Sequence, residues 1–181
     1  KAELEGRLKM RERLLSFGVD YLDDSMAGIL PNDLVLIGAG SGVGKTQICC
    51  NIALANIEKG KRVHYFALEA DQFEIERRLK FQLFAKYFFQ DPDRPKINLS
   101  FSSWIMGDMW ESCKLYEAQA DDEFTKKYKN YWTFYKQDKF DVSDMVYNVI
   151  GIAETDLIII DHVHYFDYDE DRENKAIKEI A

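Results

Sequence analysis

The chain has 181 residues, 46% hydrophobic and 14% aromatic, with a formal net charge of −8. That length supports one globular core rather than two, and the acidic balance argues against a uniformly basic nucleic-acid surface while leaving local basic stripes open. No apolar stretch reaches the ~18 residues of a membrane span, and the start, Lys1-Ala2-Glu3-Leu4-Glu5, has no apolar signal core, so a soluble intracellular protein of the cytoplasm or nucleoid is expected. Cys49 and Cys50 are adjacent and Cys113 stands alone, which gives neither a disulfide framework nor metal-ligand spacing.

Residues 1–15 carry Leu4, Leu8 and Leu15 at helical spacing among Lys, Arg and Glu, predicting an amphipathic helix that packs on its own domain or, as a linker, on a neighbouring subunit. Residues 18–33 read as loop, closed by a Pro31-Asn32-Asp33 turn that launches a first strand over 33–38. The run Ala39-Gly40-Ser41-Gly42-Val43-Gly44-Lys45-Thr46 follows, and a helix is expected over 47–58, ended by Lys59-Gly60-Lys61. Residues 62–68 predict a buried strand parallel to the first, completing a β-α-β unit. Asp71 caps an expected helix to about Phe89, and a turn-rich break occupies 90–95. Two short helices are expected within 102–128, a strand over 131–135, a helix over 142–153, and a strand over 157–161 so apolar that both its faces should be covered.

Ala39 to Thr46 satisfies the spacing [AG]-x-x-x-x-G-K-[ST] of a phosphate-binding loop, with Ala39 where Gly is commoner. Gly40, Gly42 and Gly44 let backbone N–H groups of the segment that includes Ser41 and Val43 turn inward, toward the N-terminus of the helix that Gln47 continues. Lys45 supplies a positive charge for β- and γ-phosphates and Thr46 a hydroxyl for Mg²⁺; the plainer alternative is a Gly-rich turn before an ordinary helix. Asp161, at the end of Leu157-Ile158-Ile159-Ile160, is a second candidate for Mg²⁺, or else a strand-terminating Asp. Glu69, ending the strand after the loop helix, is placed to orient or deprotonate an attacking water, or is an exposed strand-end residue. His162 and His164 lack a third partner for a metal site, and His164 is the better candidate for sensing a γ-phosphate; His64 reads as structural. Trp104, Trp110, Tyr116, Tyr128, Tyr131, Trp132 and Tyr135, interleaved with lysines, form either core and rim or a stacking platform for single-stranded nucleic acid.

With these residues placed, the chain resembles the RecA-type ATPase domain of the DnaB-like replicative helicases. SFGVDYLDDSMAGILPNDLVLIGAGSGVGKT is similar to that family's opening segment and Walker A loop, YFALEADQFEIERRL to its second strand and catalytic Glu, and LIIIDHVHYF to its Walker B strand. DRENKAIKEIA resembles the segment that follows. The resemblance implies a RecA-like P-loop NTPase fold with a mostly parallel sheet and helices on both faces, residues 1–15 being a linker helix and 16–181 the ATPase domain, with 92–130 a family-specific elaboration. It implies ATP and Mg²⁺ as ligands, Lys45 and Thr46 as phosphate and magnesium residues, Glu69 as catalytic base and Asp161 as the Walker B acid. His164 stands where the helicases usually carry a Gln that relays the γ-phosphate state, which leaves coupling open. Single-stranded DNA, a homo-hexameric ring and a loader or primase are the implied partners. Lys1 at the start and Ala181 at the end suggest a fragment lacking the late strands, arginine finger and DNA-binding loops. A RecA- or KaiC-like ATPase without unwinding, a non-catalytic ATP switch and a small-molecule kinase remain as alternatives.

Overall fold

Val63-His64-Tyr65-Phe66-Ala67 has no charged residue and is rich in aromatic side chains, a composition suited to a strand covered on both faces. In the computed structural model, which describes residues 2–67, 70–128, 132–136, 143, 147 and 155–161, all five are buried and form β1, Val63–Ala67, the middle of a three-stranded sheet. On its two edges lie β2, Trp132–Lys136, and β3, Leu157–Asp161, both parallel to it. The register sets Val63 opposite Trp132 and Leu157, and Ala67 opposite Lys136 and Asp161. Side chains alternate across a pleated sheet, so Tyr65, Phe134, Ile159 and Asp161 share one face and His64, Tyr135 and Ile158 the other.

Helix α1, Ala2–Arg13, leaves Leu4 and Leu8 more than half exposed, so among the described residues its apolar positions do not pack on the domain. Helix α2, Asp20–Met26, follows, and then the Pro31 turn, in which Asn32 takes a left-handed φ of 70° and Asp33 N–H donates to Leu30 O at 3.1 Å. Helix α3, Lys45–Glu58, ends in a Schellman closure: Gly60 N–H donates to Ile57 O and Lys61 N–H to Asn56 O, with Gly60 at φ 75°. Helix α4, Gln72–Gln90, starts at Asp71, whose Oδ1 accepts from Glu74 N–H at 2.7 Å, and buries Ile75, Leu79, Leu83, Phe84 and Phe88. Two helices, α5 (Phe101–Ile105) and α6 (Trp110–Glu123), run on into a π-helical turn, Phe124–Tyr128. The core is one cluster joining α3, α4, α6 and the Tyr65 face of the sheet.

Three expectations are corrected. Residues 18–33 are not all loop, since Asp20–Met26 form helix α2. Residues 33–38 form no strand: Leu34 and Leu36 are 56% and 71% exposed, and among the described residues nothing pairs with them. A strand needs a ladder partner, and 33–38 makes none: the described sheet ends at β3, whose outer edge this run does not join. For the same reason β3 is not covered on both faces, and its Ile158 is 40% exposed. The helix expected over 142–153 lies outside the described residues apart from Ser143 and Tyr147, which are helical.

Candidate nucleotide-binding site

The site is built on the junction between an irregular segment and α3. Gly42 and Gly44 have φ of 73° and 104°, left-handed values that a side chain resists. Gly40 does not, and neither does Ala39, which is why an alanine fits the first position of the loop. Gly44 is the N-cap of α3, so Lys45 is its first residue and Thr46 and Gln47 follow in the first turn, where unpaired N–H groups and the helix dipole favour an anion. Ser41 and Val43 stand at the exposed tip of the loop. The Lys45 ammonium turns back over this loop and donates to Ala39 O at 2.9 Å and Gly40 O at 3.0 Å. A cation resting on two neutral carbonyls across an open cradle can exchange them for phosphate oxygens with a gain in charge pairing, so these residues fit a polyphosphate.

Asp161, last residue of β3, lies on the sheet face against which α3 packs and is 7% exposed. Its Oδ2 accepts a hydrogen bond from the Tyr65 hydroxyl at 2.7 Å. The buried thiols of Cys49 and Cys50 on α3 face the same region, and desolvation, with Asp161 nearby, pushes both up to about 12, so they stay protonated. A carboxylate at a strand end beside a helix that starts in Lys45-Thr46 is suited to a hard cation such as Mg²⁺. Glu69, His162 and His164 lie outside the described residues.

The segment before the loop is held on α3 by contacts that the sequence reading missed. Asn56, fully buried on α3, accepts from Ser16 N–H at 2.9 Å and donates to Ser16 O and Ile52 O, both at 2.8 Å. Asn51 donates to Gly18 O at 2.6 Å, and Asp23 accepts from Phe17 N–H at 2.7 Å and from the Ser16 hydroxyl. A Cβ at Gly18 would lie 2.6 Å from Asn51 Nδ2, so the chain passes α3 too closely for a side chain. Leu15 and Ile29 exchange both backbone hydrogen bonds, closing residues 15–29 into a collar on α3. The only signal available was the pair of asparagines inside an otherwise apolar helical run.

Tyr116, Tyr128, Trp132 and Trp104 do not form the expected aromatic stacking platform. Tyr116, Tyr128 and Trp132 are buried in the core, and Trp104 packs on Phe81 and Phe84 while donating to Glu117 at 2.6 Å. Large rings leave water when a core can take them, and here it does. A groove of ≈ 240 Å³ between α4 and the α5–α6 segment, lined among others by Arg77, Trp104 and Glu117, contains no residue of the loop. Tyr131 and Lys129 lie outside the described residues, and no group of three or more potential metal ligands occurs among the described ones. No described helix is long and apolar enough to cross a membrane.

Residues 15–86 match the family described as DnaB-like helicase C terminal domain. That stretch holds the collar, the loop, α3, β1 and most of α4, and there the resemblance holds; the segments 157–166 and 171–181, on which it was also drawn, lie outside the match. Among solved structures the chain is similar to "ATPase Domain of G40P", at 17% identity and a TM-score of 0.69, over 92% of this chain and 56% of that one. The likeness establishes the expected RecA-like α/β fold, and the chain spans little more than half of the structure it matches. No curated protein matches.

Proposed function

From the match of residues 15–86 to the DnaB-like helicase C-terminal domain, we propose that the chain is the ATP-hydrolysing core of a DnaB-like replicative helicase, a motor that translocates on single-stranded DNA. What carries the reading is the pairing of a phosphate loop, entered by Lys45 at the first turn of α3, with a buried Asp161 on the sheet face beneath that helix. In this reading the N–H groups of residues 40–47, from Gly40 to Gln47, bind the triphosphate and Lys45 neutralises its β- and γ-oxygens. Thr46 and Asp161 hold Mg²⁺, which when bound offsets the charge between the phosphates. Glu69 accepts the proton of the water that attacks the γ-phosphorus, with ADP leaving and phosphate formed. His164 senses the γ-phosphate. The assembly is a homo-hexamer, served by a loader or primase, in the cytoplasm or nucleoid.

ATP turnover by the full-length protein, with and without single-stranded DNA, tests this. Lys45→Ala should abolish nucleotide binding, and Glu69→Gln should keep binding while lowering kcat by about 10²-fold or more. A Glu69→Gln variant that hydrolyses at the wild-type rate removes Glu69 from the mechanism. His164, in the place of the helicases' usual Gln, favours a second reading as an ATP switch without a motor. Tight ATP binding with neither turnover nor opening of a forked duplex would decide for it, and turnover without opening would point to a RecA- or KaiC-like ATPase.

A further inference from the structure

Asp161 is 7% exposed, and a carboxylate withdrawn that far from water needs a donor or a cation to hold its charge. The Tyr65 hydroxyl is that donor, 2.7 Å from Oδ2, and among the described residues no other hydrogen bond reaches this carboxylate. The register explains the reach. Tyr65 pairs with Ile159, two residues before Asp161 on the same face, so its ring leans along the sheet toward the C-terminal strand end. From the opposite side the ring is braced by Trp132 and Phe134 of β2, with centroids at 5.2 and 6.3 Å. A phenol, with an ordinary pKa near 10, is a donor throughout the physiological range. One donor fixed on Oδ2 leaves Oδ1, which no described residue hydrogen-bonds, for the water shell of a cation.

We propose that Tyr65 is a positioning residue of the metal site: held by Trp132 and Phe134, its hydroxyl fixes the Asp161 carboxylate and thereby sets the affinity of the Thr46–Asp161 pair for Mg²⁺. The proposal rests on the reading of Asp161 as a magnesium residue. It also makes β2 a support for the nucleotide site, although no residue of β2 belongs to that site. If Tyr65 were only a core residue, removing its hydroxyl would alter stability and leave metal dependence untouched.

The test is a Mg²⁺ titration of the binding of a fluorescent, non-hydrolysable ATP analogue to the full-length protein, with no turnover involved. Tyr65→Phe should raise the half-saturating Mg²⁺ concentration roughly ten-fold, the order expected for one lost hydrogen bond to a charged group, with metal-free nucleotide affinity unchanged. Phe134→Leu keeps the hydroxyl but loosens the ring, and should shift the midpoint less and in the same direction; it carries the test if Tyr65→Phe does not fold. A wild-type midpoint in both variants, alongside a large shift in Asp161→Asn, overturns the role of Tyr65 alone. If Asp161→Asn also titrates like wild type, the magnesium reading of Asp161 has failed and this inference falls with it.

Discussion

A carboxamide offers one acceptor and two donor hydrogens, and Asn56 uses all three: Oδ1 takes Ser16 N–H, and Nδ2 gives to Ser16 O and Ile52 O. Both ends of Ser16's backbone are thus satisfied inside the core by one side chain of α3. Asn56→Ala would strand the buried Ser16 N–H and carbonyl and should cost on the order of 2–3 kcal/mol, read as a lower urea midpoint at unchanged slope. Asn56→Asp should be no better, because its second oxygen would face two carbonyls instead of donating to them. This residue also shows where sequence reading runs out. Two asparagines in an apolar helix announce that something polar is buried, but the partner lies 40 residues away and nothing in helical periodicity identifies it. Tyr65 was hidden for a similar reason: its alternation placed it in the core, and only the pairing of β1 with β3 brings its hydroxyl to Asp161.

Among whole elements, helix ends marked by their own residues were legible, whereas whether an apolar run joins the sheet depends on a neighbour. Helix α4 carries its start signal locally, with Asp71 on Glu74 N–H and an Arg78–Glu74 pair at 2.7 Å one turn on. Asp71→Ala should lower stability by about 1 kcal/mol and Asp71→Ser should restore most of it, measured by thermal unfolding. The Schellman end of α3 and the turn at Pro31-Asn32 were equally local, since Gly60 and Asn32 mark the left-handed positions. Residues 33–38 are the counterexample. Their pattern is as strand-like as that of β1, yet β1 has a partner on each edge and 33–38 has none among the described residues. The candidate site divides in the same way: the loop and Asp161 could be found from spacing, whereas the collar of residues 15–29 and the β2 brace could not.

At the scale of the molecule, one side chain links all three strands on the face away from Asp161. His64 of β1 is fully buried, with Nδ1 3.0 Å from the Tyr135 hydroxyl of β2 and Nε2 3.2 Å from the Thr155 hydroxyl just before β3. Burial first, and the charge of Arg62 second, hold its pKa below the ordinary 6.5. Burial raises the Tyr135 phenol, so that partner stays neutral while the imidazole titrates. A base whose pKa falls on folding binds fewer protons in the native state than in the unfolded one. Stability is therefore complete above about pH 6.5 and is lost as pH falls from there through the native pKa. Unfolding free energy should decline between pH 7 and pH 5, and His64→Gln, which keeps a donor and an acceptor, should flatten that decline. The 32 Asp and Glu side chains are the same in both proteins, so their contribution cancels in the difference. Denaturation curves for the two proteins at half-unit pH steps provide the measurement. Parallel slopes would show that the three-strand link tolerates the proton, and that His64 joins the sheet by shape alone.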